Sequence, residues 1–217
     1  MQTVDHKKFK NLKETGLVPR YALAPLLSML FLNVAVYFLT GRMTGGMKHY
    51  DISVPLDAKI PFLPVFIIPY LSAYAQWIVC YITVARSGRD YCYKVIGAEM
   101  VSRLIICVCY VLLPTIMVRG TITGNDPFSQ LTALLYRIDA PTNLFPSNHC
   151  LESYICLRTA LEMKRGRGYK SAMTIMSILV ILSTLFVRQH LILDLFGSVL
   201  VAEMGFLVVG ICRKSAA

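Results

Sequence analysis

Residues 191–212 read LILDLFGSVLVAEMGFLVVGIC, an apolar run broken only by Asp194, Glu203 and small residues. A run of this length is what a helix needs to cross roughly 30 Å of hydrocarbon at about 1.5 Å per residue. Similar runs occur at 21–40, 61–85, 96–118 and 171–187. A weaker one at 147–163 carries Glu152 and Arg158. A span that carries charge faces the interior of a bundle or a wet cavity, because lipid does not solvate ions. The expected fold is therefore all-α, a polytopic integral membrane protein with six transmembrane helices, the later ones forming a bundle.

The whole composition agrees. Of 217 residues, 56% are hydrophobic and 16% charged, and the mean hydropathy is +0.58. Ordinary soluble domains carry about 25% charged residues. The net charge of +10 would suggest nucleic acid in a soluble protein, but here the cations sit between the apolar runs. No nucleic-acid partner is expected. The seven cysteines form no CxxC pair and lie mostly within apolar runs, so they read as small buried residues rather than disulfides or a zinc ribbon.

The cations also orient the chain. Lys7, Lys8, Lys10, Lys13 and Arg20 precede the first run; Arg86, Arg89 and Lys94 follow the second; Lys164, Arg165, Arg167 and Lys170 follow the fourth; Arg213 and Lys214 follow the sixth. With six spans these connections share one side, and they hold 14 of the 22 basic residues. Positively charged loops stay in the cytoplasm. This predicts a cytoplasmic segment at 1–20, a membrane domain at 21–212 and a cytoplasmic tail at 213–217, in the cell membrane.

Two polar constellations fall on the opposite, outer side. The first is Pro146-Ser147-Asn148-His149, where a proline at a helix start is followed by polar side chains and by free N–H groups that favour anions. The second is His190-Leu191-Ile192-Leu193-Asp194. If the last helix begins near Arg188, His190 and Asp194 share a face, and the carboxylate orients the imidazole. Arg119 and Arg188 lie on the same side as cations for a phosphate group. A zinc site from His149, Cys150, His190 and Asp194 is disfavoured, because adjacent helical side chains diverge by about 100°. Glu99 and Arg103, four apart, are expected to pair.

Pro146-Ser147-Asn148-His149 followed by His190-x3-Asp194 in a six-span chain resembles the type 2 phosphatidic acid phosphatase superfamily, which includes lipid phosphatases and sphingomyelin and inositol-phosphorylceramide synthases. The family pattern is Lys-x6-Arg-Pro, Pro-Ser-Gly-His and Ser-Arg-x5-His-x3-Asp. Here Arg119, Ser147, His149, Ser183, His190 and Asp194 match, while Leu112, Gly120, Asn148 and Thr184 depart from it. The active-site half is then about 119–203.

The resemblance implies that His190, oriented by Asp194, attacks phosphorus to form a phosphohistidine while His149 protonates the leaving group. Ser147, Asn148, Arg119 and Arg188 would bind the phosphate oxygens. Neither a metal nor another cofactor is expected, and the implied partner is a membrane lipid phosphate. Three readings follow: a phosphatase acting on a lipid phosphomonoester or diphosphate, a lipid headgroup phosphotransferase, and a transporter or inactive relative, the first being favoured.

Overall fold

A computed structural model of the chain describes residues 16–215. The basic cluster Lys7, Lys8, Lys10 and Lys13 lies outside the described residues. Seven α-helices follow one another: α1 (Arg20–Thr44), α2 (Ile67–Ala85), α3 (Arg89–Leu112), α4 (Pro127–Ile138), α5 (Asn148–Glu162), α6 (Arg167–Phe186) and α7 (Ile192–Ser215). Among the described residues there is no β-strand.

Five helices, α1, α2 with the 3-10 turn before it, α3, α6 and α7, are long and apolar enough to cross a membrane. The expected six-span count is therefore met by length and composition at five of its six segments. The exception is the charged segment. Its helix, α5, has 15 residues, about 22 Å at the usual rise. Ser147 caps it at one end, accepting the Cys150 N–H, and it stops at Met163. It is the most enclosed of the helices, packed against α2, α6 and α7. Its burial replaces the apolar surface that lipid would demand.

Boundaries shift for local reasons. The run expected at 96–118 becomes a helix from Arg89 to Leu112, because Pro114 disfavours helical backbone at Leu113 before it. The chain then runs extended, with isolated bridges pairing Tyr50 with Thr115 and Ile116 with Thr142. Helix α4, in the connection that follows, has no counterpart among the six apolar runs. Asp126 starts it by accepting hydrogen bonds from the N–H groups of Phe128 (3.0 Å) and Ser129 (3.1 Å), with Pro127 at the first helical position.

Helix α3 packs between α1 and α7, and α5 is sandwiched by α6 and α7. The α3–α7 contact is close because Gly205 has no Cβ to collide with Ser102 and Ala98, and Ser102 Oγ donates to the Val201 carbonyl at 3.1 Å. Large apolar side chains such as Phe31 and Phe38 of α1 and Phe196, Leu200 and Leu207 of α7 point outward. Such a surface suits lipid and not water.

Consecutive long helices alternate in direction, so two ends form. At one, Tyr21 Oη bonds the Ala85 carbonyl, Arg213 pairs with Asp90 and Tyr91 bonds Glu162. At the other, the Tyr50 N–H reaches the Pro114 carbonyl, Leu63 N–H reaches Phe186, and Ser147 N–H reaches Asp194. Both histidine constellations lie at this second end.

Candidate active site

The connection from α6 to α7 is short and strained. Arg188 has φ 52°, a left-handed conformation that costs a non-glycine residue about 1–3 kcal/mol. The N–H groups of Gln189 (2.9 Å) and His190 (3.1 Å) both bond the Thr184 carbonyl, closing the turn over the end of α6. This swings Arg188 and His190 toward one cleft.

Helix α7 begins at Ile192, not near Arg188, so His190 precedes the helix and Asp194 sits in its first turn. The pairing expected along one helical face is made instead by a carboxylate that folds back over its own helix start. Asp194 Oδ2 lies 3.2 Å from His190 Nδ1 and accepts the Leu191 N–H at 2.8 Å. Asp194 is wholly buried. With Nδ1 engaged, Nε2 is the nitrogen that His190 offers to a reactant.

The start of α5 is locked onto the start of α7. Ser198 Oγ donates to the Ser147 carbonyl at 2.8 Å and to the Asp194 carbonyl at 2.6 Å. Gly197 gives room for the Phe145 ring, which a Cβ there would strike. The outcome is that the His149 and His190 rings stand 6.4 Å apart between centroids.

Aromatic rings of α2 surround His149. Tyr70 stacks on it at 4.3 Å, Trp77 leans against it at 5.1 Å and Tyr74 meets it edge-on at 5.9 Å. The Tyr70 hydroxyl lies 3.5 Å from Nδ1, while Nε2 is buried without a partner. Tyr70, Tyr74 and Trp77 were not among the residues singled out in the sequence, although their spacing along α2 puts them on one helical face.

Arg119 is tied to the turn that carries His190. One of its nitrogens donates to the Asp139 carbonyl at 2.6 Å, another to Gln189 Oε1, and its guanidinium lies 4.7 Å above the Tyr136 ring. Desolvation pulls its pKa below the ordinary arginine range, though such a group stays charged at neutral pH. Arg188 donates to the Ile60 carbonyl at 2.9 Å and forms a wall between two clefts. One, of about 200 Å³, is lined by Asp51, Asp57, Met117 and His190. The other, of about 290 Å³, is lined by Phe62, Thr121, Ile122 and Tyr136.

Two residues expected to bind phosphate are otherwise engaged. Ser147 is fully buried, and its hydroxyl caps α5 by accepting the Cys150 N–H at 3.2 Å. Asn148 turns its Oδ1 to Arg103. That arginine, unassigned in the sequence beyond its pairing with Glu99, sits at the centre of a buried network. Its guanidinium contacts Glu99 at 3.1 Å and Glu152 at 2.6 Å, and Tyr81 donates to the other Glu152 oxygen at 2.6 Å.

The sequence profile described as the PAP2 superfamily matches residues 55–208. That span contains His149, His190, Asp194, Arg119 and Arg188. The chain belongs to the PAP2 superfamily. No curated protein and no solved structure matches it significantly.

Within this PAP2 chain, the family's lysine position is taken by Leu112, which is 76% exposed on the outside of α3. Nothing there faces the cleft. Thr184, at the position of the family arginine, is buried with its hydroxyl 2.7 Å from the Ile181 carbonyl. Arg188 is thus the arginine that lines the clefts, and Arg119 is tied to the same turn through Gln189. Among the described residues, no group of three His, Cys, Asp or Glu side chains is placed to hold a metal ion. Cys150 is turned away from His149's partners, toward Thr184.

Proposed function

We propose that this PAP2-superfamily protein is a lipid phosphate phosphatase that hydrolyses a phosphomonoester or diphosphate through a phosphohistidine intermediate. The observation that carries the reading is the His190–Asp194 pair, 3.2 Å apart, with the His149 ring 6.4 Å from that of His190, Arg188 lining the same cleft as His190 and Arg119 bonded to the adjacent Gln189. A phosphoryl group needs a nucleophile in line with its leaving oxygen and positive charge around its equatorial oxygens. His190, lining a cleft together with Arg188, and His149, 6.4 Å away between ring centroids, are the side chains we assign to that need.

In this mechanism Nε2 of His190 forms the bond to phosphorus as the bond to the lipid oxygen breaks. Asp194 stabilises the positive charge that develops on the ring, and His149 gives its proton to the departing oxygen. Water then attacks phosphorus, returns a proton to His149 and releases His190 with free phosphate. Arg119 and Arg188 stabilise the equatorial oxygens throughout. The cations are side chains, so the reaction proceeds without a metal.

The membrane arrangement belongs to the same proposal. Helix α5 serves as the sixth crossing segment, running from His149 at one end of the bundle to Glu162 at the other. Both termini face the cytoplasm and the clefts open at the outer leaflet, in keeping with the sparse cations on the connections at that end.

A second reading, headgroup transfer to another lipid alcohol, is favoured by one feature. The family's lysine and regular arginine are replaced by Leu112 and Thr184, a loss associated with the synthase branch. Purified protein offered phosphatidate, phosphatidylglycerophosphate and polyprenyl diphosphate, with and without an acceptor alcohol, distinguishes the two. Release of phosphate without acceptor supports the phosphatase; a new headgroup lipid formed only with acceptor supports the transferase. Inactivity on all of them, in folded protein, defeats both.

A further inference from the structure

Helix α4 is apolar on two sides. Toward the bundle, Leu131 and Leu135 pack against Ile67, Tyr70 and Val187, and the Tyr136 hydroxyl donates to the Val187 carbonyl at 2.8 Å. On the far side Leu134 is 53% and Ile138 72% exposed. Four positions apart, these two share one helical face, and the described residues leave that face open. A surface helix in water carries one apolar stripe and turns its polar side to solvent. This one turns a second apolar stripe outward, with the exposed Arg137 at its edge.

The depth of α4 follows from what holds its C-terminal end. Asp139, which ends the helix, accepts a hydrogen bond from the Tyr37 hydroxyl at 3.1 Å. Tyr37 stands seven residues before Thr44, the last residue of α1, which is about 10 Å inward along that helix. The chain regains the end of α1 at Asn143, whose amide donates to Thr44 Oγ1 at 2.9 Å. With 25 residues, α1 is about 37 Å long, against roughly 30 Å of hydrocarbon. When the overhang is shared between its two ends, Tyr37 lies below the hydrocarbon boundary, and the end of α4 lies beside it.

We propose that α4 is an interfacial helix lying in the leaflet at the histidine end of the bundle, with Leu134 and Ile138 among the acyl chains. The apolar surface around it is continuous with the stripe. Tyr37 and Phe38 of α1 are exposed, as are Val65 and Ile68 of the 3-10 turn and α2, on which α4 packs. A stripe that merges with surfaces the bilayer covers is itself covered by lipid and not by a second copy of the chain. The charge of Arg137 extends to lipid phosphates while its stem stays along the apolar face.

Tyr136, two residues from both Leu134 and Ile138, points to the opposite side of the helix. There it lines the larger cleft together with Phe62, Ile122 and Arg188. Helix α4 is thus the wall between that cleft and the lipid, whatever chemistry the cleft performs.

The test places single cysteines at Leu134, Ile138, Phe31 and Asn125 in a cysteine-free background, each labelled with bimane and reconstituted in phosphatidylcholine vesicles. Phe31, 75% exposed on α1, marks the lipid-facing extreme, and the exposed Asn125 the watery one. Leu134 and Ile138 carry little packing, so their exchange leaves the fold intact. Bromination of the acyl chains should quench Leu134→Cys and Ile138→Cys at least threefold more than Asn125→Cys and nearly as much as Phe31→Cys. Iodide on both sides of the vesicles should rank the four in the reverse order.

Iodide quenching of Leu134→Cys and Ile138→Cys as strong as that of Asn125→Cys would put the stripe in water and overturn the proposal. Bromolipid quenching no greater than at Asn125→Cys, with disulfide-linked dimers of unlabelled Leu134→Cys, would assign the stripe to a second copy and overturn it equally.

Discussion

The imidazole of His190 and the carboxylate of Asp194 meet at 3.2 Å across a helix start, one residue preceding α7 and the other lying in its first turn. The Leu191 N–H bonds the same carboxylate oxygen at 2.8 Å. The carboxylate therefore organises the turn and orients the ring together. Removing the charge affects both, whereas removing the imidazole affects the chemistry alone.

That asymmetry sets the first prediction. His190→Ala should reduce turnover by about 10³-fold or more while leaving unfolding in detergent nearly unchanged, since the ring lies at the edge of the cleft. Asp194→Asn should retain a small residual rate, the imidazole being present but misoriented. Acid-labile, base-stable incorporation of labelled phosphate is the measurement. Normal incorporation in folded His190→Ala would move the nucleophile elsewhere, with His149 next in line.

Arg119 is gripped by the Asp139 carbonyl, Gln189 and the Tyr136 ring. A lysine has neither the planar fork nor the stacking surface to make these contacts. Arg119→Lys should therefore lower kcat/KM by about tenfold or more, and Arg119→Ala should lower it further. Equal activity of Arg119→Lys and wild type would remove Arg119 from phosphate binding.

A third prediction concerns stability. Arg103 lies between Glu99 and Glu152, all three being buried. Deleting one member of a buried ionic cluster costs about 3–5 kcal/mol, because its partners are left unpaired. Arg103→Ala should accordingly lower the unfolding temperature in detergent by several degrees or prevent accumulation of the protein. Thermal stability equal to wild type would show the network to be dispensable. The simultaneous replacement of Arg103, Glu99 and Glu152 by apolar residues should be milder than Arg103→Ala.

For topology, single cysteines at Asn125 and Gly166 in a cysteine-free background separate the two ends. An impermeant thiol reagent added to intact cells should label Asn125→Cys and spare Gly166→Cys. Labelling of the second would invert the orientation.

Chelation gives the last prediction. Since the proposed cations are side chains, EDTA should change the rate by less than about twofold, equivalent to roughly 0.4 kcal/mol in barrier. Activity lost to EDTA and restored by zinc or magnesium would exclude the side-chain mechanism.

Much of this was legible from residue order alone. Apolar runs, their spacing, and the pairs His190/Asp194 and Glu99/Arg103 depend on chain-local geometry, where a helix or a tight turn sets which neighbours meet. Even the displaced start of α7 left His190 and Asp194 in contact, because Asp194 closes a tight turn on Leu191. The family motif around His149 belongs to the same class, since Ser147 caps its own helix.

What the order of residues did not determine is everything that depends on distant segments meeting. Asn148 faces Arg103, 45 positions away, and not the cleft; Tyr70 covers His149 from α2; Gln189 pairs with Arg119. These contacts follow from which helices pack together and at what rotation, which reflects burial summed over whole surfaces and leaves no local spacing to read. The same reason explains α5. Its charges mark it as a poor match to lipid, and only the neighbouring helices supply the partners, Tyr81 of α2, Arg103 of α3 and Glu203 of α7, that let a helix bearing Glu152 and Arg158 sit at the centre of the bundle.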